Sequence, residues 1–218
     1  MPKPLSVGQS PPMQQLKTEI QRLTFSEFIE WKPDGSHYEL YDGVPIEMPQ
    51  PPGTHEAIKG FLINQIVLEY TRLNLPYIVP NQVFVKKPDA ESAYLPDVLV
   101  LNRPNLIHEP LWAKASTVTL GASIPLIIEV VSNNWRVDYL TKLKDYEEMG
   151  IREYWLVDYL GLGGRRFLGN PKQPTIFLHE FIDGEYQVRA FREQERLISP
   201  TFPELVLTVA QVFQAGSG

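Results

Sequence analysis

Residues 124–131 read Ile-Pro-Leu-Ile-Ile-Glu-Val-Val, an almost unbroken apolar run with one acid, Glu129, inside it. A run of this kind suits a central strand covered on both faces. It commits the chain to a sheet with helices packed against it. It also poses a chemical problem, because a lone buried carboxylate is costly unless it pairs with a cation or binds a metal. Two readings of Glu129 stand: an acid near the strand end paired with an arginine, or a metal ligand.

Composition narrows the setting. At 218 residues with 43% hydrophobic and 21% charged side chains, the chain has enough apolar material for one globular domain. The expected division is a disordered tail at 1–19, carrying Pro2, Pro4, Pro11 and Pro12, followed by a single domain over 20–218. Twenty prolines argue against an all-helical bundle. Cysteine is absent, which removes disulfides, thiolate metal sites and cysteine nucleophiles. The amino-terminal stretch lacks the apolar core of a signal peptide, and no segment reaches the ~20 apolar residues of a membrane span. A cytoplasmic protein without membrane contact is expected. The formal net charge of −6 argues against a protein that wraps nucleic acid by bulk charge, while leaving room for a local basic groove.

The pattern along the chain predicts a mixed α/β (α+β) fold. Thr24 and Glu27 form a capping-box pair ahead of a helix at 25–31. Asp42-Gly43 between 38–41 and 44–48 signals a hairpin. Helical spacing of Ile58, Phe61, Leu62, Ile66 and Leu73 predicts the longest helix over 54–73. Strands are expected at 78–86, 95–101, 124–131 and 153–158. A helix at 137–149 stopped by Gly150, a second hairpin at 175–181 and 186–191, and a short helix near 208–214 complete the order. Gly161–Arg166 reads as a turn.

Asp97 follows Pro96 at the head of the apolar strand Val98–Leu101. Alone it reads as a solvated strand-end acid. Beside Glu129 on a neighbouring strand it offers the second carboxylate of a hard-cation site, of the kind that holds Mg²⁺. On the helix at 137–149, Tyr139, Lys142, Tyr146 and Met149 share a face, whereas Thr141, Lys144, Asp145 and Glu148 form the polar face. Lys142 thus either snorkels to the helix edge or presents its ammonium to the carboxylates. Glu39 lies on the face of its strand opposite Tyr38 and Leu40 and is either solvated or in a cleft. His55 near the start of the long helix carries the same ambiguity. Ser132 fits a turn cap.

Taken in order, Thr24 with Phe28, Glu39-Leu40, Asp42-Gly43, His55, Pro96-Asp97-Val98, Glu129-Val130-Val131-Ser132, Lys142 with Tyr146, and Gly150–Trp155 resemble the Uma-two family of the PD-(D/E)xK nuclease superfamily. The resemblance covers roughly residues 23–158. It implies a restriction-endonuclease-like sheet flanked by helices, with hairpins near both ends. It implies a Mg²⁺-dependent endonuclease acting on DNA, with Mn²⁺ as a substitute ion. Asp97, Glu129 and the Val130 carbonyl are the implied metal ligands. Lys142 is the implied catalytic lysine, with Glu39 and His55 helping to hold metal or water. One departure stands out: two residues after Glu129, where the superfamily pattern carries a lysine, this chain has Val131. The resemblance implies that Lys142 has taken over the role. A fold-retaining but catalytically inactive nucleic-acid-binding or regulatory module is the alternative. Cutting both strands of a duplex requires two active sites, which makes a two-fold homodimer the expected assembly.

Overall fold

The computed structural model describes residues 22–217, so the tail expected at 1–19 lies outside the described residues. The apolar run becomes strand β8 (Leu126–Val130), every residue of it buried. Labels for the other strands follow chain order: β1 (Tyr38–Tyr41), β2 (Val44–Glu47), β3 (Tyr77–Ile78), β4 (Phe84–Lys86), β5 (Ala93–Tyr94), β6 (Val98–Asn102), β7 (Thr117–Val118), β9 (Glu153–Asp158), β10 (Thr175–Ile182) and β11 (Glu185–Phe191). They form two mixed sheets. The larger has the order β11-β10-β9-β8-β6-β3 and the smaller β2-β1-β5-β4-β7. β8 runs parallel to β9 and antiparallel to β6.

Helices cover the larger sheet. The helix α2 (Gly53–Arg72) packs Ile58, Leu62 and Ile66 with Val98, Val100, Leu126, Ile128 and Val130. The terminal helix α6 (Val209–Gln214) adds Val209 and Val212 to that core. On the other face, Leu99, Ile127 and Val131 meet Tyr139, Tyr146 and Tyr154. The segment carrying Tyr139 and Tyr146 begins as a π-helical turn, Val137–Lys142, and continues as α4 (Leu143–Glu148). Gly150, at φ +67°, stops it as the sequence predicts. The first helix, α1 (Phe25–Trp31), carries the expected Thr24–Glu27 capping box. Among the described residues no helix is long and apolar enough to cross a membrane.

Two expected strands are corrected. The run at 78–86 is two strands in different sheets, β3 and β4, and the run at 95–101 is preceded by a separate strand, β5. Pro80 and Pro96 lie at the breaks, where a residue without an amide hydrogen cannot continue a ladder. Both breaks are crossings between the sheets, and Asp97 lies on the second. A third correction concerns 161–166. The segment leads into a short helix, α5 (Arg165–Leu168), with Gly164 at its N-cap position, rather than a plain turn.

One buried base reports on the core away from Glu129. His179 on β10 stacks on Tyr154 at 5.7 Å, lies 5.8 Å from the Tyr186 ring, and contacts the Tyr154 carbonyl through Nδ1 at 3.2 Å. Burial is the dominant influence and pushes its pKa down to about 4, with the Tyr154 carbonyl opposing. The unfolded chain therefore binds a proton near pH 6.5 that the folded chain refuses until about pH 4. This contribution to stability is complete above pH 6.5 and is lost as the pH falls towards 4, amounting to roughly 3 kcal/mol at ~1.4 kcal/mol per pKa unit. Urea titrations across that window will show a smaller acid loss in His179→Phe than in wild type; parallel curves would refute this account.

Candidate active site

Register brings the two acids together. The antiparallel pairing of Val98 with Ile128 sets Asp97 opposite Glu129, one step beyond the last paired residues. Each carboxylate accepts a hydrogen bond from a main-chain amide of the facing segment. The Val130 amide donates to Asp97 Oδ2 at 2.9 Å, and the Asp97 amide donates to Glu129 Oε2 at 3.4 Å. The Pro96 break frees Asp97 from the ladder and lets its carboxylate fold back over the end of β8.

Lys142 points inward, as its helical face predicts, and only 3% of it is exposed. Its Nζ lies 3.0 Å from Glu129 Oε1, 3.1 Å from Glu39 Oε1 and 3.7 Å from Asp138 Oδ1. Glu39 is fully buried, so the solvated reading is excluded for it. It also accepts hydrogen bonds from the Tyr41 hydroxyl and, at 2.8 Å, from the Leu95 amide. Tyr146 donates to Glu129 Oε1 at 3.3 Å. The ammonium lies 5.7 Å from the centre of the Tyr94 ring.

A second, more open group surrounds Asp97. His55 is 5% exposed, and its Nε2 lies 2.9 Å from the Val130 carbonyl and 3.3 Å from Asp97 Oδ2. Its Nδ1 lies 3.3 Å from Glu56 Oε1. Lys59, one turn along α2, is 3.9 Å from both Asp97 Oδ1 and Glu56 Oε1. His55, Glu56 and Asp97 each present one ligand atom, all within 4.8 Å of one another. The Val130 carbonyl, the implied third metal ligand, accepts from His55 Nε2.

Charge is unbalanced towards acid. Burial works against the Lys142 ammonium, but Glu129, Glu39 and Asp138 outweigh it and hold the proton firmly. Burial drives Glu129 well above the carboxylate range; Lys142 opposes, while Asp97, Asp138 and Glu39 add to the rise. Asp138 is pushed up to about 7, first by burial and then by Asp97 and Glu39, against the pull of Lys142. Asp97 goes the other way. Burial would raise it, but the hydrogen bond and charge of His55, the Val130 amide and Lys59 hold it below its ordinary value. His55 is raised: burial favours the neutral ring, and Asp97, the Val130 carbonyl and Glu56 together prevail. Buried carboxylates in excess of buried cations are the donor set that a hard divalent ion would neutralise.

All the expected side chains lie in these two groups: Asp97 and His55 in the open one, Glu39, Glu129 and Lys142 in the buried one. Sequence reasoning missed Glu56, Lys59, Tyr41 and Asp138. A Glu-x-x-Lys pair immediately after His55 was the available signal for the first two. Asp138 precedes Lys142 by four residues, and that same-face spacing was its available signal; the π-helical turn buries it together with Tyr139. The helical wheel placed Asp145 on the polar face, yet it is buried, bonded to the Tyr94 hydroxyl and, at 2.9 Å, to Lys87.

The model of the Uma2 family, described as "Putative restriction endonuclease", matches residues 25–210. No curated protein matches the chain. The crystal structure of a putative nuclease belonging to DUF820 from Anabaena variabilis superposes with a TM-score of 0.68 at 18% identity. The match covers 89% of this chain and 99% of that one, and shows a shared fold.

Removing the Lys142 ammonium strands its acids. Lys142→Met will destabilise the protein by about 3–5 kcal/mol, the usual cost of leaving buried charge uncompensated. Adding Glu39→Gln and Glu129→Gln to that variant will restore more than half of the loss in chemical denaturation. A Lys142→Met protein as stable as wild type would show that the ion pairs do not form.

Proposed function

Because the chain belongs to the Uma2 family, with its model matched over residues 25–210, we propose that it is a divalent-metal-dependent endonuclease that hydrolyses DNA phosphodiester bonds. The observation that carries the reading is the meeting of Lys142 with Glu129 and Glu39 at 3.0–3.1 Å, directly beside an Asp97 locked to the Val130 amide. That is an acid pair and a lysine supplied by three separate elements, although Val131 occupies the lysine's usual position in the sequence.

The donor set fits Mg²⁺ or Mn²⁺. Carboxylate oxygens of Asp97 and Glu129 would hold the ion, with His55 and Glu56 adjoining Asp97. A bound divalent cation supplies charge neutralisation at the phosphate and acidifies water. The protein's own groups do the rest. Asp97, kept ionised by His55 and the Val130 amide, stays a strong oxygen ligand near neutrality. Lys142, kept protonated by Glu129 and Glu39, orients the attacking water and offsets negative charge developing on the phosphoryl oxygens. Water adds to phosphorus as the bond to the 3′ oxygen breaks, leaving a 3′-hydroxyl and a 5′-phosphate. Glu56 stands ready to accept the proton that the water gives up, and His55 supports the charge of Asp97 beside it.

A second reading, a binding module without catalysis, draws on Val131 and on the depth at which Lys142 is buried. One pair of measurements separates them. With Mg²⁺ or Mn²⁺ the wild-type melting temperature will rise and supercoiled plasmid will be nicked. Asp97→Asn and Glu129→Gln will lose both effects, with nicking down at least 10²-fold. A wild-type protein whose melt ignores both ions and that leaves plasmid intact is not an endonuclease of this kind.

A further inference from the structure

Most basic side chains in this acidic protein are already used. Lys87 pairs with Asp145 and Glu148, Arg72 with Glu69 and Glu204, and Arg189 with Glu180. Lys86 and Arg196 donate to main-chain carbonyls. Two segments behave differently. Residues 130–137 and 159–174 hold Arg136, Arg165, Arg166 and Lys172, and contain no Asp or Glu. Against a whole-chain charge of −6, this is a strong local reversal of sign.

The segments meet in space. Trp135 lies 6.5 Å from the Phe167 ring and 5.8 Å from the Tyr139 ring, and Tyr139 lies 4.8 Å from Phe167. Gly164 permits the contact, since a Cβ there would lie 3.1 Å from Trp135. Asp158, buried at the end of β9, holds the second segment in place. It accepts from the Leu162 and Gly163 amides and the Tyr139 hydroxyl, each at 2.8 Å. On this rigid aromatic base, the Arg136 guanidinium lies 4.6 Å over Trp135 and the Arg166 guanidinium 4.5 Å over Phe167. Arg136, Arg165 and Arg166 are all exposed. Among the described residues no carboxylate comes within ion-pair distance of the three. Guanidinium groups stacked on rings lose little freedom on binding, and their donors suit phosphate oxygens.

We propose that Arg136, Arg165 and Arg166, carried on the Trp135–Phe167 platform, form the surface that grips the phosphodiester backbone of duplex DNA. Trp135 and Arg136 lie on the stretch of chain that joins Glu129 to Lys142. The inference rests on the nuclease reading only for its choice of DNA as the polyanion. It gives an acidic protein a local means of holding a substrate that its overall charge would repel.

The test is fluorescence anisotropy with a labelled duplex of about 30 base pairs, in EDTA, so that no metal site contributes. Wild type will bind with an affinity that falls steeply with salt. Arg136→Ala/Arg165→Ala/Arg166→Ala will bind at least tenfold more weakly, and its log–log salt dependence will flatten by about 2 to 3, one phosphate contact per arginine. Lys114→Ala, on the short helix at 112–115, will bind as wild type. Replacing the three arginines by lysine will keep most of the salt slope, which guards against a folding defect in the alanine variant. Equal binding by wild type and the alanine variant overturns the proposal, as does wild type that binds no duplex. Tighter binding of an RNA hairpin than of the DNA overturns its assignment to DNA. Failure of plasmid nicking with binding intact would remove the nuclease reading and leave this surface standing.

Discussion

Lys142 is the pin between the two sheets. Its ammonium touches Glu39 on the smaller sheet and Glu129 on the larger, from a helical segment belonging to neither. None of these groups could be buried comfortably alone. An isolated ammonium would lose its proton, and isolated carboxylates would gain one. The mutual placement of β1, β8 and the 137–148 segment is therefore tied to a charge balance at one point. The same point carries the groups to which the proposed chemistry is assigned.

That balance is incomplete, and the imbalance has a direction. Lys142 faces three carboxylates, and Asp97 adds a fourth close by. The interior answers by raising Glu129 and Asp138, while Asp97 escapes because His55 and the Val130 amide support its charge. Burial thus works against ionisation on the inner side of the site, while His55 and the Val130 amide favour the charged form of Asp97 on the open side.

How legible all this was depended on range. The acid in the apolar run of β8, the Pro96-Asp97 step and the inward face of Lys142 are local patterns, and each can be read from a few neighbouring residues. Hairpins at Asp42-Gly43 and Asp183-Gly184 were equally plain, since turn chemistry demands those residues. The strand divisions at Pro80 and Pro96 were harder. A proline marks a break without saying that the chain then changes sheets. Asp145 was hidden because its burial depends on Tyr94 and Lys87, far away in sequence, whereas Asp138 lies four residues before Lys142 and shares its helical face.

The sequence by itself determined the fold class, the central strand and the identities of the two acids and the lysine, because these follow from local hydrophobic patterning and from the cost of burying charge. Tertiary structure alone decided that Glu39 closes the cluster, that His55 and Glu56 stand with Asp97, and that Arg136 and Arg166 stack on rings of one aromatic platform. Those outcomes depend on the Val98–Ile128 register and on where two loops meet, neither of which any short stretch of the chain encodes. The −6 net charge of the sequence points away from nucleic acid. Folding reverses that sign locally by pairing most of the remaining basic residues elsewhere and leaving Arg136, Arg165 and Arg166 free.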